Sequence, residues 1–161
     1  NMQPLCLEQV NMAAVARQCA ADFMNTDISG KYPLEWKAQE NLPSCVVRGD
    51  KTLLGRALNN LLNNAQTHNP DGCHITMGFQ VEEDSCCIAI EDDGVGIPEE
   101  KLEKLKNTPH YMMNDSGADE PRHGLGLLIV QQIIKAHHGE VKFSSGADGG
   151  LRVEIRLPRW A

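Results

Sequence analysis

The chain has 161 residues, of which 41% are hydrophobic and 23% are charged, which suits one soluble globular domain with a single core. Its net charge of −7, from 15 basic and 22 acidic side chains, argues against a nucleic-acid partner, which needs a basic footprint. No apolar run approaches the roughly 20 residues of a membrane helix, and no signal peptide opens the chain. We therefore expect a cytoplasmic domain without direct membrane contact; a membrane anchor of the parent protein would lie outside this stretch.

Cysteine usage predicts neither a zinc site nor a disulfide framework. No two of the six cysteines have the C-x-x-C spacing of a metal or redox site. Most fall at apolar positions of predicted elements, so we expect buried, reduced thiols.

The first half of the chain is predicted to contain two helices and two short strands. In chain order they are helix 10–24, strand 32–37, strand 45–47 and helix 51–66. Asn11 and Asp50 suit the N-caps of the two helices. The turn sequence Asn69-Pro70-Asp71-Gly72 ends the second helix.

The second half is predicted to contain four strands, two helices and one long loop. In chain order they are strand 73–81, strand 86–90, helix 98–106, loop 107–122, helix 125–136, strand 141–143 and strand 151–157. His137 and His138 suit the helix dipole, and Gly139 suits the C′ position. This order predicts helices on one face of a mixed, largely antiparallel sheet.

A first glycine loop follows an apolar strand. Asp92 continues the alternation of apolar residues in the strand before it, so its carboxylate should point to the apolar side of the sheet. A carboxylate there needs a hydrogen-bond donor, such as a purine amino group. The alternative is an Asp that caps the following turn. Gly94 and Gly96 would let a flat base approach the backbone, and Ile97 would line the same pocket; the alternative is a plain turn.

An asparagine pair lies upstream on the second predicted helix. Asn60 and Asn64 are four residues apart and face away from the leucine stripe, together with Arg56 and His68. Their amide oxygens suit Mg²⁺, which takes oxygen ligands and keeps several waters. The alternative is a solvated helix face.

A second glycine loop, Gly124-Leu125-Gly126-Leu127, leads into the last predicted helix. Free N–H groups and the positive end of the helix dipole can bind phosphates there. Arg122 and His123 adjoin this loop and would add positive charge. The alternatives are a loop that only precedes a helix, and two solvated loop residues.

Three segments in order resemble the ATP-binding catalytic domain of sensor histidine kinases, within the wider superfamily of gyrase, Hsp90, histidine kinase and MutL. Residues 58–65 resemble the asparagine box of that family, residues 91–98 its first glycine box, and residues 123–130 its second. The resemblance covers most of the chain. It implies a single domain over residues 1–161 with an α/β (α+β) two-layer sandwich, in which three helices back the mixed sheet on one face (the Bergerat ATP-binding fold).

The resemblance also implies site residues. Asn64 would bind Mg²⁺, Asp92 would bind the adenine amino group of ATP, and a phosphate-covering lid would occupy residues 107–122, anchored by the second glycine box. The expected nucleotide-binding positions are Asn60, Asn64, Thr67, His68, Asp92, Gly94, Gly96, Ile97, Arg122, His123, Gly124, Leu125, Gly126 and Leu127. Among these, Asn60 and Asn64 are the residues expected to take part in catalysis.

Some positions depart from the family pattern. Thr67 and His68 stand where the family often has a basic residue and a tyrosine. Phosphate charge would then be met elsewhere, by Arg122 or Arg56.

The phosphoacceptor of the family lies on a separate helical hairpin, and no histidine of this chain has the matching sequence context. Because the chain also begins with Asn1 rather than Met, we expect a fragment that lacks this dimerisation hairpin. The full-length protein would transfer the γ-phosphoryl group of ATP to the hairpin histidine and serve a response regulator. The alternatives are a protein serine kinase of the anti-sigma type and a catalytically degenerate nucleotide-sensing module.

The residue at position 60 favours a kinase over a hydrolase. The ATPase branch of the superfamily places a water-activating glutamate four residues before the metal-binding asparagine. That position is Asn60 here, and an amide cannot act as a general base near neutral pH.

Overall fold

The computed structural model describes residues 5–38, 43–98, 100–103 and 121–160. The elements are β1 (Glu8–Asn11), α1 (Met12–Thr26), β2 (Leu34–Ala38), β3 (Val46–Gly49), α2 (Lys51–His68), β4 (Ile75–Val81), β5 (Ser85–Asp92), α3 (Pro121–Ala136), β6 (Glu140–Ser145) and β7 (Leu151–Pro158). Residues 100–103 are helical, as predicted after Pro98. The rest of that helix and most of the predicted lid, up to residue 120, lie outside the described residues. No helix in the described ranges is long and apolar enough to cross a membrane.

Five strands form the main sheet in the order β2-β4-β5-β7-β6. Only β2 and β4 pair in parallel, and the other neighbours are antiparallel. The predicted hairpin is confirmed as β4 and β5, and the closing strand pair as β6 and β7. The mixed, largely antiparallel sheet is therefore confirmed.

One face of this sheet forms the core. The inward-facing residues of β7 are each 4% exposed or less: Leu151, Val153, Ile155 and Leu157. Side chains from α1, α2 and α3 join them in one hydrophobic cluster. Full burial of each such aliphatic side chain stabilises the fold by about 1.5–3 kcal/mol. The arrangement is the predicted two-layer sandwich.

A second, two-stranded sheet was not predicted. β1 pairs antiparallel with β3, with Val10 opposite Val47. Of the four residues of β1 only Val10 is buried, so the segment carries no alternation that a sequence pattern could reveal.

Side chains cap the first two helices as predicted. The Asn11 side chain accepts a hydrogen bond from the N–H group of Ala14 at 3.2 Å. Asp50 Oδ1 accepts one from the N–H group of Leu53 at 3.1 Å, and Asp50 Oδ2 accepts another from Cys6 N–H at 3.1 Å. These backbone hydrogen bonds lower the pKa of Asp50. Each cap satisfies a donor that the first helical turn would otherwise leave unpaired.

The end of α3 differs from the prediction. His138, not Gly139, takes the left-handed conformation, with φ of 63°. The N–H group of Gly139 donates to the Ile134 carbonyl at 2.9 Å, and that of His138 to the Lys135 carbonyl at 3.0 Å. This is a Schellman motif with His138 at C′. Gly139 is required for another reason, because a Cβ there would overlap the backbone carbonyl of Arg156.

His137 has the structural role that was predicted, but without the predicted dipole interaction. It is 4% exposed, its Nε2 accepts a hydrogen bond from Asp50 N–H at 2.9 Å, and its Nδ1 lies 2.7 Å from the Ile133 carbonyl. A carbonyl can only accept, so Nδ1 carries the proton and Nε2 does not. The ring is therefore neutral, and it joins the end of α3 to the start of α2.

Candidate nucleotide-binding site

Asn64 is a largely buried residue whose side-chain amide makes no hydrogen bond within the described part of the chain. It is 7% exposed, while Asn60 is half-buried and the neighbouring Asn59 and Asn63 are exposed. The Asn64 amide is not among the fully enclosed, unpartnered side-chain groups of the described residues, so it keeps contact with solvent. At 7% exposure, Asn64 does not lie on a fully solvated helix face, the alternative considered from the sequence, and its amide suits a ligand.

The other candidate residues of α2 differ in exposure. Arg56 and Thr67 are exposed, and His68 is half-buried. The structure thus leaves Arg56 and Thr67 accessible from solvent.

The second glycine box lies inside a helix rather than in front of one. The last helix was predicted from residue 125, but α3 begins at Pro121. Only the first N–H groups of a helix lack partners within it, and these precede Gly124. The expectation of free N–H groups at Gly124 and Gly126 is wrong for this conformation, because the chain continues the helix through both glycines.

Gly126 brings this helix to Asn64. A Cβ atom on Gly126 would lie 3.9 Å from Oδ1 of Asn64, so the two boxes meet side by side. Leu127 is 1% exposed and packs in the core, which leaves only its backbone for a ligand contact. The side chains of Arg122, His123 and Leu125 lie outside the described part of the chain.

Asp92 is the last residue of β5 and is 7% exposed, on the buried side of the sheet as its strand parity predicted. Its Oδ1 accepts hydrogen bonds from the N–H groups of Gly94 at 2.9 Å and Leu151 at 3.5 Å. Asp92 therefore does cap the following turn, as the alternative had it. Among the described residues, no backbone donor reaches Oδ2, so one carboxylate oxygen stays available to an external donor.

Burial raises the pKa of Asp92 above its ordinary value. The hydrogen bonds from Gly94 and Leu151 oppose this effect, as does the nearby Asn69 amide, and the nearby charge of Asp93 adds to it. A buried carboxylate with an incomplete set of donors is stabilised by any donor that a ligand brings. The electrostatics of Asp92 thus favour a ligand with an N–H group.

The glycines of the first box are required by packing within the protein. A Cβ at Gly94 would overlap the side-chain amide of Asn69. Gly96 has φ of +72°, and a Cβ there would lie 2.5 Å from the carbonyl oxygen of Gly149. The sequence left open whether the two glycines allow a base to approach or form a plain turn, and the structure shows protein atoms where their Cβ atoms would lie. Ile97 packs against the edge of the core.

Asn69 is the site-forming residue that sequence reasoning missed. It was assigned only to the turn after α2, yet it is 3% exposed. Its Nδ2 donates to the Ala65 carbonyl at 2.9 Å, and its Oδ1 accepts from Val95 N–H at 2.8 Å. The turn sequence gave no separate signal for this role, because asparagine is common in turns for local reasons.

These contacts bring the three predicted boxes together. Gly126 adjoins Asn64 on α2, and the loop after Asp92 is joined through Asn69 to the end of that same helix. Amide and carboxylate oxygens and the first turns of α3 thus lie around one end of the sandwich.

The donor set fits Mg²⁺ only together with a phosphate ligand. No group of three or more His, Cys, Asp or Glu residues that could hold a metal occurs within the described ranges. Mg²⁺ commonly takes one or two protein oxygens, several waters and the phosphates of its substrate. The amide of Asn64 suits that arrangement.

The sequence from residue 49 to 161 matches the family model described as histidine kinase-, DNA gyrase B- and HSP90-like ATPase. The chain belongs to this family. The family implies ATP binding. Within it, the chain is the ATP-binding catalytic domain of a histidine kinase, as the resemblance implied.

Similar proteins are named as sensor kinases. The probable sensor kinase SilS of Salmonella typhimurium is 38% identical over 115 residues, which are 71% of this chain and 23% of SilS. The structure of the mycobacterial sensor histidine kinase MprB is 25% identical, with a TM-score of 0.70 over 95% of this chain and 97% of that one.

The catalytic domain of histidine kinase ThkA, at 19% identity, shares the fold with a TM-score of 0.75 over 98% of this chain and 97% of that one. The chain spans only 23%, 29% and 27% of the length of three curated relatives that it matches.

Proposed function

We propose that this domain binds Mg-ATP and presents the γ-phosphoryl group to a histidine on a helical hairpin elsewhere in the parent protein. The observation that supports this most is Asn64, which is largely buried beside Gly126 and whose amide makes no hydrogen bond within the described part of the chain. The domain would form residues 1–161 of the chain and would serve a response regulator as the downstream partner.

The two ends of the nucleotide would be held by different residues. Asp92 Oδ2 would accept a hydrogen bond from the exocyclic amino group of adenine, since Oδ1 is already used by the backbone. Asn64 would hold Mg²⁺ through its amide oxygen, and the metal, when bound, would neutralise phosphate charge. Asn60, Thr67, His68 and the α3 positions 122–127 would complete the phosphate side.

Positioning would account for most of the catalysis. Asn60, half-buried one turn before Asn64, cannot activate a water molecule as a carboxylate would. The site therefore favours transfer to an acceptor that is brought in line with the γ-phosphoryl group.

The test is a transfer assay with γ-labelled ATP, Mg²⁺, this chain and the histidine-bearing hairpin of the parent protein. We expect acid-labile, base-stable phosphate on the hairpin and only slow hydrolysis of ATP by the chain alone. Acid-stable phosphate on a serine would favour the serine kinase instead. ATP binding without transfer would favour a nucleotide sensor, and rapid steady-state hydrolysis by the chain alone would contradict the role given to Asn60.

Asn64→Ala tests the metal end of the site. We expect a loss of affinity for the Mg²⁺ complex of a non-hydrolysable ATP analogue of at least about tenfold, because the amide oxygen is removed. The melting temperature of the ligand-free domain should change little, since the amide that is lost makes no hydrogen bond within the described part of the chain. Calorimetry measures the affinity for the analogue in the presence and in the absence of Mg²⁺.

The matched control is Asn63→Ala, which alters an exposed asparagine next to Asn64. It should bind the Mg²⁺ complex as the unsubstituted chain does. Equal effects of the two substitutions would contradict the assignment of Asn64.

A further inference from the structure

Asn69 connects two parts of the candidate site that the sequence treats as separate. It follows α2 directly as its C-cap residue and is 3% exposed. One end of its side-chain amide bonds to α2, the helix that carries Asn64, and the other end bonds to the loop after Asp92.

The orientation of this amide is fixed by its partners. The Ala65 carbonyl can only accept a hydrogen bond, and the Val95 N–H group can only donate one. Nδ2 must therefore face Ala65 and Oδ1 must face Val95, at 2.9 and 2.8 Å. A carboxylate of the same shape could satisfy Val95 but would repel the Ala65 carbonyl.

The glycine loop has few other attachments. Among the described residues, side-chain hydrogen bonds to the backbone of residues 94–96 come only from Asp92, within the loop's own turn, and from Asn69. Gly94 packs directly on the Asn69 amide, which fills the space of the missing Cβ. Val95 itself is 77% exposed, so its side chain does not anchor the loop in the core.

Asn69 is itself held firmly. Its backbone carbonyl accepts hydrogen bonds from the Tyr32 hydroxyl at 2.7 Å and from Gly72 N–H at 2.9 Å. The residue therefore has little freedom to follow a displaced loop, and the loop must adapt to it.

We propose that Asn69 is a positioning residue for the nucleotide. It sets the loop of Asp92 against the helix of Asn64, so that the purine end and the phosphate end of one ligand are bound together. This inference rests on the proposed function, since it assigns a role within that site.

The test is a double-substitution cycle with Asn69→Asp, Asp92→Asn and the two combined. Affinity for a non-hydrolysable ATP analogue is measured by calorimetry well below each melting temperature. We expect Asn69→Asp to weaken binding roughly tenfold, as for the loss of one well-placed hydrogen bond. In the double variant, Asn69→Asp should weaken binding by less than about threefold beyond the loss caused by Asp92→Asn alone. The reason is that the position of the loop affects the ligand through Asp92.

A role in folding alone would give a different result. It would lower the melting temperature of Asn69→Asp while the folded protein bound the analogue normally, and that outcome would overturn the inference. Losses that multiply independently in the double variant would also overturn it. Asn69→Ser, which keeps an acceptor, provides a second variant if Asn69→Asp does not fold, and Asn63→Ala serves as the control.

The inference and the proposed function fail in different ways. If the unsubstituted chain binds no adenine nucleotide, the proposed function is contradicted. If it binds normally and the folded Asn69 variants bind equally well, only the role of Asn69 is contradicted.

Discussion

At the scale of single residues, the geometry of Asp92 is compatible with both roles that the sequence presented as alternatives. Oδ1 closes the turn to Gly94, while Oδ2 receives no backbone hydrogen bond from the described residues. One carboxylate can therefore support its own loop and still offer an acceptor to a purine.

Asp92→Asn tests the acceptor role. The substitution keeps an oxygen for the turn but places an N–H group toward the adenine amino group, so two donors would face each other. We expect adenine nucleotides to bind more weakly by about 1–3 kcal/mol, measured by calorimetry. Equal affinity of the unsubstituted chain for guanine nucleotides would contradict the role.

The Asp92→Asn variant also gives a prediction for the pH dependence of the melting temperature. Because burial raises the pKa of Asp92, the folded chain binds this proton more tightly than the unfolded chain. The stability it contributes is present below the unfolded-state pKa and is lost as the pH rises through the folded-state pKa. The ligand-free Asp92→Asn variant should therefore melt at a higher temperature than the unsubstituted chain at neutral pH, and the gain should shrink in acid. A lower melting temperature at neutral pH would count against the buried, under-bonded carboxylate.

Some site residues could be predicted from the sequence and others could not. Strand parity correctly predicted that Asp92 points to the buried side. The burial of Asn64 was not predictable from α2 alone, because it arises where α2 packs against α3, at Gly126. Asn69 could not be predicted because the turn sequence already explains an asparagine there, while its proposed role depends on a hydrogen bond to Val95, 26 positions later in the chain.

At the scale of elements, the sequence pattern predicted the interiors of helices and strands correctly, but it did not always predict where they begin and end. Apolar periodicity located α1, α2, β4, β5 and β7, because their buried faces repeat over many residues. The start of α3 was predicted too late, at residue 125 and so just after Gly124, since a glycine disfavours a helix by about 1 kcal/mol. The rest of the helix, which packs in the core, overrides that local preference.

The C-terminus of α3 gives a prediction at this scale. His138 adopts φ of 63°, a conformation that costs a residue with a Cβ about 1–2 kcal/mol. Part of the gain from glycine is offset by the entropy of the unfolded chain. His138→Gly should therefore stabilise the domain by about 0.5–1 kcal/mol in denaturant unfolding.

His138→Ala is the control for this prediction, because alanine removes the imidazole but keeps the Cβ. It should bring no comparable gain. If alanine stabilised the domain as much as glycine, the effect would belong to the side chain and not to the backbone conformation.

At the scale of the whole molecule, the site is built between helices that are joined at both ends. Near the end of α2, Asn64 adjoins Gly126 of α3. At the start of α2, the backbone of Asp50 donates to His137 just after the end of α3. The two helices therefore lie side by side along much of their length, and the sheet supplies Asp92 beneath them. This arrangement brings the groups proposed to bind the metal, the phosphates and the purine to one end of the molecule.

The most direct test of that convergence follows the amide resonances of the isotope-labelled chain during titration with the Mg²⁺ complex of a non-hydrolysable ATP analogue. Gly94 and Leu151 report on Asp92, and Gly126 reports on the surroundings of Asn64. We predict that all three resonances shift along one binding curve with one dissociation constant. Resonances that do not shift, or that follow separate curves, would contradict a single nucleotide site.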